Sequence, residues 1–182
     1  MEWSILFMGP VGAGKTQAVR SASDIEVVST DVRASDETAR LKPDTTVAMD
    51  VGAIHTPAGR RVRLLGAPGQ DRFDFMWDIL LRQAHGVVLL VHHGAADPVA
   101  DLDHHLAQMG RRVRGRSLPV LVAATHGDKA PHRPLDAYAR HLESRRHEGV
   151  HPIPGIRRLD ARNRDQVRES VLYLADIIRL RG

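Results

Sequence analysis

The 182 residues contain no cysteine. Disulfides, prenylation and palmitoylation are therefore excluded. Aromatic residues make up only 4%, too few to interleave with basic clusters as a nucleic-acid stacking surface requires. Lysine is scarce too: of the 26 basic residues, only Lys15, Lys42 and Lys129 are lysines. The arginine clusters Arg111–Arg116, Arg145-Arg146 and Arg157-Arg158 read as solvated helix ends and loops, and no nucleic-acid partner is expected. No apolar run approaches the ~20 residues that span a bilayer. Met1-Glu2-Trp3 offers no basic n-region and no glycine at position 2. Neither a signal peptide nor myristoylation is expected, and the expectation is a cytoplasmic chain with no direct membrane anchor.

What is present suits one domain, 1–182, with a real core. Ser4–Met8, Val62–Leu65, Gly86–His92 and Pro119–Thr125 are apolar runs of the kind buried on both faces of a parallel sheet. Ile156–Leu159 is a shorter candidate. Pro98–Met109, Leu135–His147 and Arg164–Leu180 carry apolar residues at helical spacing. Thr46–His55 reads as extended and is followed by the turn Thr56-Pro57-Ala58-Gly59-Arg60, which predicts a hairpin with the Val62 strand. The fold class predicted is α/β, with a mostly parallel central sheet, one antiparallel edge strand and helices on both faces. Ser23–Asp44 is polar and aperiodic, a long loop in which Val27-Val28 is the only candidate strand.

Gly9-Pro10-Val11-Gly12-Ala13-Gly14-Lys15-Thr16 reads G-x-x-x-x-G-K-T, between the strand at Ile5–Met8 and a first helical turn at Gln17–Arg20. That is the context of a phosphate-binding loop. Its glycines let backbone N–H groups turn inward around a phosphate chain, and the helix N-terminus adds partial positive charge. Lys15 can reach the outer phosphates, and the Thr16 hydroxyl can ligate Mg²⁺. The fold class thus narrows to a phosphate-loop (P-loop) NTPase fold.

Four further segments follow in order. They are Thr45-Thr46-Val47-Ala48-Met49-Asp50, Leu65-Gly66-Ala67-Pro68-Gly69-Gln70-Asp71-Arg72-Phe73, Ala124-Thr125-His126-Gly127-Asp128-Lys129 and Asp160-Ala161-Arg162. With the phosphate loop, they make the chain resemble a small Ras-like GTPase. The likeness is greatest to the bacterial branch of gliding, polarity and signalling-operon GTPases, and it covers nearly the whole length. The resemblance implies a switch that hydrolyses GTP to GDP with Mg²⁺. Nucleotide would lie against Gly9, Val11, Gly12, Ala13, Gly14, Lys15, Thr16 and Gln17. Thr46, with Thr45 as backup, would join Thr16 on the metal. Gly69 would offer its N–H to the γ-phosphate, and Gln70 would orient the attacking water, since positioning and charge stabilisation are the protein's share of this chemistry. Thr125, His126, Asp128, Lys129, Ala161 and Arg162 would surround the guanine, with the Asp128 carboxylate accepting from N1 and N2 and the Ala161 N–H meeting O6. Partners implied are an effector and a roadblock-type activator.

Three positions depart from the family pattern. Gly66 stands where an aspartate usually holds a Mg²⁺-bound water, leaving Asp50 or Asp71 to compensate. Val11 stands where many relatives have glycine, near the entry of a stimulating arginine; Arg33, Arg40 and Arg72 are internal alternatives for that arginine. His126 replaces the lysine whose stem covers the base, a task left to a stacked imidazole or to Lys129. The 11 histidines do not predict zinc: His92-His93 and His104-His105 are adjacent pairs whose side chains diverge. His92-His93 could line the nucleotide crevice beyond its strand. Two rivals remain open, an ATP-using P-loop enzyme such as a small kinase and a non-catalytic nucleotide-binding scaffold.

Overall fold

The computed structural model describes residues 2–33, 46–69, 74–113 and 115–181, with backbone alone at 30–33, 46–48 and 74. In chain order the elements are β1 (Trp3–Met8), α1 (Lys15–Ala22), β2 (Val28–Arg33), β3 (Thr46–His55), β4 (Arg61–Gly66) and α2 (Asp74–Gln83). They continue with β5 (Gly86–His92), α3 (Pro98–Arg112), β6 (Leu118–Thr125), a 3₁₀ turn at Gly127–Lys129, α4 (Asp136–Ser144), β7 (Val150–Pro152), β8 (Arg157–Arg158) and α5 (Arg164–Arg181).

The apolar runs are strands buried on both sides. Every residue of β1 is buried. Ile5 and Phe7 point into one core and Leu6 and Met8 into the other, because successive side chains of a strand face opposite ways. β5 does the same, with Val88 and Leu90 on the first face and Val87, Leu89 and Val91 on the second. Each such side chain contributes ~1.5–3 kcal/mol on burial. The first core is closed by α1 through Ala18, Val19 and Ala22 and by α5 through Val167, Val171 and Leu174. The second is closed by Trp77 and Leu80 of α2, Leu102, Leu106 and Met109 of α3 and Tyr138 of α4.

The strand order is β2-β3-β4-β1-β5-β6-β7, with β8 also paired to β6. β1 runs parallel to β4 and β5, and β6 parallel to β5, β7 and β8. The fold is therefore α/β with a mostly parallel mixed sheet. β3 and β4 form the expected antiparallel hairpin. Its turn is closed by the Thr56 N–H donating to Arg60 O at 2.8 Å and the Gly59 N–H to Thr56 O at 2.9 Å.

The antiparallel part is larger than the sequence predicts. β2 pairs antiparallel along β3 from Val28 to Arg33, so there are two antiparallel pairings where one was expected, and the antiparallel strand β3 is not the edge of the sheet. Six residues of the predicted Ser23–Asp44 loop are strand. Val28, Thr30 and Val32 alternate with polar residues, a period-2 pattern of β-branched side chains. β7 was not foreseen, and β8 is only two residues long. No helix among the described residues is long and apolar enough to cross a membrane.

β1 lies between β4 and β5; the chain leaves β1 through α1 on one face and crosses from β4 to β5 through α2 on the other. A crevice beyond the carboxyl ends of β1, β5 and β6 is where an open α/β sheet places a ligand.

Candidate functional site

The glycine-rich loop leaves β1 at Gly9, whose φ is 139°. A Cβ there would lie 2.2 Å from the Leu90 carbonyl oxygen of β5, so only glycine lets the loop start this close to the neighbouring strand. Gly14 has φ 95° and caps α1 with no side-chain hydrogen bond. No acidic residue sits in the first turn, which leaves the positive end of the helix dipole without a local carboxylate.

Lys15 folds back over this loop. Its Nζ donates to Gly9 O at 2.8 Å and Pro10 O at 2.7 Å, and the residue is 8% exposed. Burial lowers its ammonium pKa from 10.5 to about 8, with the Asp50 charge opposing. A charged amine held in a dry cleft by two neutral carbonyls is poised to gain from an anion. Gly69 closes over it: a Cβ at that position would sit 2.6 Å from Lys15 Nζ and 3.0 Å from Val11 Cα and N. Any side chain at 69 would displace the amine, so the glycine is required for this approach. The Trp77 indole N–H donates to Pro68 O at 3.1 Å and ties the segment before Gly69 to α2.

Gly66 ends β4 opposite Asp50 of β3. A Cβ on Gly66 would lie 3.2 Å from Asp50 Cβ and 3.4 Å from Asp50 Oδ2. The Asp50 carboxylate thus occupies the space a side chain from position 66 would take. It is buried, and Ser29 Oγ donates to its Oδ1 at 2.7 Å. Of the two acidic residues named for the place of a side chain at 66, Asp50 lies beside Gly66; Asp71 lies outside the described residues.

A cavity of about 340 Å³ adjoins the loop, lined by Gly14, Gln17, Thr125, His126, Asp128, Lys129, Asp160, Ala161 and Arg162. Each base-pocket residue expected from the sequence is among them. Hydrogen bonds fix this cavity to the glycine-rich loop and α1. Thr125 Oγ1 donates to Ala13 O at 2.8 Å, His126 Nε2 to Gly12 O at 2.8 Å, and Ser21 Oγ of α1 to Ala161 O at 2.7 Å. Arg162 bonds Asp160 through Nε at 2.9 Å and through a terminal nitrogen at 2.8 Å. These bonds hold the Asp160 carboxyl down at about 2.

The adjacent histidines separate. His92 stacks on His126, which lines the cavity. His93 is wholly buried, 2.7 Å from the Tyr138 hydroxyl and 3.1 Å from Arg133 O, so it anchors α4 and does not line the crevice. Thr16 is exposed on the first turn of α1. Thr46 opens β3, with its side chain outside the described atoms. Thr45, Gln70, Arg40 and Arg72 lie outside the described residues, as does the side chain of Arg33. Ser29 and Ser21 were not foreseen; isolated serines carry no signal until strand pairing brings them to a partner. Among the described residues, no three His, Asp or Glu side chains are arranged to hold a metal alone. Compared with known proteins, the chain matches no family model and no curated sequence.

Proposed function

We propose that the chain is a guanine-nucleotide switch that hydrolyses GTP with Mg²⁺ on a P-loop scaffold. The observation that carries this reading is the joining of a glycine-rich strand-to-helix loop, with Lys15 clasped in it, to an adjoining cavity through Thr125 and His126. The cleft and the cavity are separate pieces of chain bonded into one surface, which suits a ligand with a phosphate end and a flat polar end. Asp128 on the cavity wall supplies a carboxylate acceptor, which selects guanine N1–H and N2–H₂ over adenine.

On binding, Lys15 exchanges its two carbonyl partners for phosphate oxygens. The loop N–H groups and the α1 terminus receive the rest of the charge. Gly69 meets the outermost phosphate through its N–H, and Gln70 beside it orients the attacking water. The donor set suits Mg²⁺: Thr16 and Thr46 would supply hydroxyls, and the buried Asp50 carboxylate, beside Gly66, would serve as an outer partner of the ion. When bound, the ion neutralises charge shared between the outer phosphates. The output passes through the Gly66–Leu81 segment, whose α2 presents Phe75 and Ile79 one turn apart on its exposed face, to an effector or a roadblock-type activator.

Chromatography of nucleotide released from the purified protein tests the reading. Guanine nucleotide is expected from the native chain and none from Lys15→Ala. Adenine nucleotide, or retention by the variant, would overturn it.

A further inference from the structure

Two imidazoles lie face to face where the cavity meets the phosphate loop. His92 ends β5 and His126 follows β6; their ring centroids are 4.1 Å apart and their planes 16° apart. The pairing of His92 with Thr125 across the two parallel strands brings them together. His126 has φ 55°, the one positive value at a non-glycine position among the described residues. Such a conformation costs roughly 1–2 kcal/mol for an L-residue. It aims Nε2 at Gly12 O, 2.8 Å away. Because a carbonyl only accepts, Nε2 carries the hydrogen. Gly94 packs close to His92: a Cβ there would stand 3.2 Å from His92 Cε1 and 2.8 Å from Lys129 Cβ, so the His92 ring is confined by the Gly94 backbone as well as by the His126 ring.

A lysine at position 126 would cross the base on a long stem and still reach the phosphate loop. An imidazole is shorter and flat. It can bridge to Gly12 only from the strained backbone position, and it needs support on the face away from the ligand. We propose that the His92–His126 stack is the platform for one face of the purine, with His126 bracing the phosphate loop through Gly12 and His92 acting as its positioning residue. This rests on the reading of the cavity as a base pocket.

The stack also couples the platform to protons. Facing it are Lys129 and Asp128 from the 3₁₀ turn, Asp101 from α3 and Asp160 from the segment after β8. Burial first, then the charges of His126 and Lys129, hold His92 below the usual imidazole range, against its own backbone and Asp101. Protonation of His92 would set a cation against the His126 ring and beside Lys129, and the platform would open.

Dissociation of a ribose-labelled fluorescent GDP from the full chain, followed from pH 7.5 to 5.5, tests this. Native protein should release faster as pH falls. His92→Ala should release about tenfold faster at pH 7.5, the scale of one lost ring-stacking contact. His92→Phe should restore slow release and flatten the pH profile, since phenylalanine stacks but does not titrate. Binding that depends on Lys15 while both His92 variants behave as native would overturn the platform and leave the nucleotide reading standing. So would an alanine defect that phenylalanine fails to rescue. Native protein that binds neither guanine nor adenine nucleotide would overturn both.

Discussion

Lys15 carries a charge that the fold buries at a cost. Its pKa in the folded chain is about 8, against 10.5 for the ordinary side chain. Between those values the unfolded chain binds more protons, so this group's contribution to stability rises with pH across that window. At neutral pH the buried charge costs about 3 kcal/mol. Lys15→Met should therefore stabilise the nucleotide-free protein in urea unfolding while abolishing nucleotide binding. Nucleotide affinity of the native chain should fall above pH 8, approaching about tenfold per pH unit, in titrations at constant Mg²⁺. A flat profile to pH 9.5 would remove Lys15 from the phosphate site. Asp50 and Gly66 allow a second test, because they face each other across β3 and β4. Asp50→Ala should speed Mg²⁺-dependent nucleotide release by about tenfold or more, the usual cost of losing an outer-shell metal partner. Exchanging the two, Asp50→Gly with Gly66→Asp, should recover much of the loss. Gly66→Asp alone should not help, since it sets two carboxylates in one space.

At the scale of elements, α2 is fastened at its far end. Arg116 donates to Leu81 O and Arg82 O at 3.0 Å each and to Ala84 O at 2.7 Å, covering the carbonyls that a helix C-terminus leaves open. Arg112 Nε lies 3.2 Å from Asp78 Oδ1 on the same helix. Movement in the proposed switch is thus confined to the end nearer Gly69. Arg116→Ala should cost about 2 kcal/mol in chemical denaturation, the scale of charge-assisted bonds lost without replacement. It should also speed amide exchange at Leu81–Ala84; unchanged exchange there would show that the cap is redundant. Arg116 was not legible as a cap, because its partners lie more than thirty positions away. The same reason divides the rest. β1, β5 and β6 were legible because burial on both faces leaves an unbroken apolar run. α3 and α5 were legible from stripes such as Leu102, Leu106 and Met109. β8 falls within the short apolar candidate Ile156–Leu159, whereas β7 is too short to carry a pattern, and only pairing with β6 makes it a strand. In the candidate site, the glycine-rich turn between β1 and α1 could be read locally. The substitution of Asp50 for a side chain at Gly66, and the meeting of His92 with His126, follow from strand register.

At the scale of the molecule, the candidate site is assembled from distant pieces that only the folded sheet brings together. Ala13 O receives Thr125 from 112 residues away, and Ala161 O receives Ser21 from 140 away. The unfolded chain has no such surface, so a ligand that fits it binds the native state alone. Stabilisation then follows mass action, about 2.7 kcal/mol at a free concentration 100 times Kd. For a chain of 182 residues, that corresponds to a rise in Tm of roughly 5–10 °C. GDP with Mg²⁺ should give this shift in thermal melting, and ADP at the same concentration should give almost none, because adenine offers Asp128 no donor at N1 or C2, where guanine has N1–H and N2–H₂. Lys15→Ala should melt at one temperature with or without GDP. Equal shifts from GDP and ADP would place the recognition in the phosphate loop alone and take the cavity out of base selection. No shift from either, in protein shown to carry no nucleotide of its own, would mean that these bonded loops serve the fold and not a ligand.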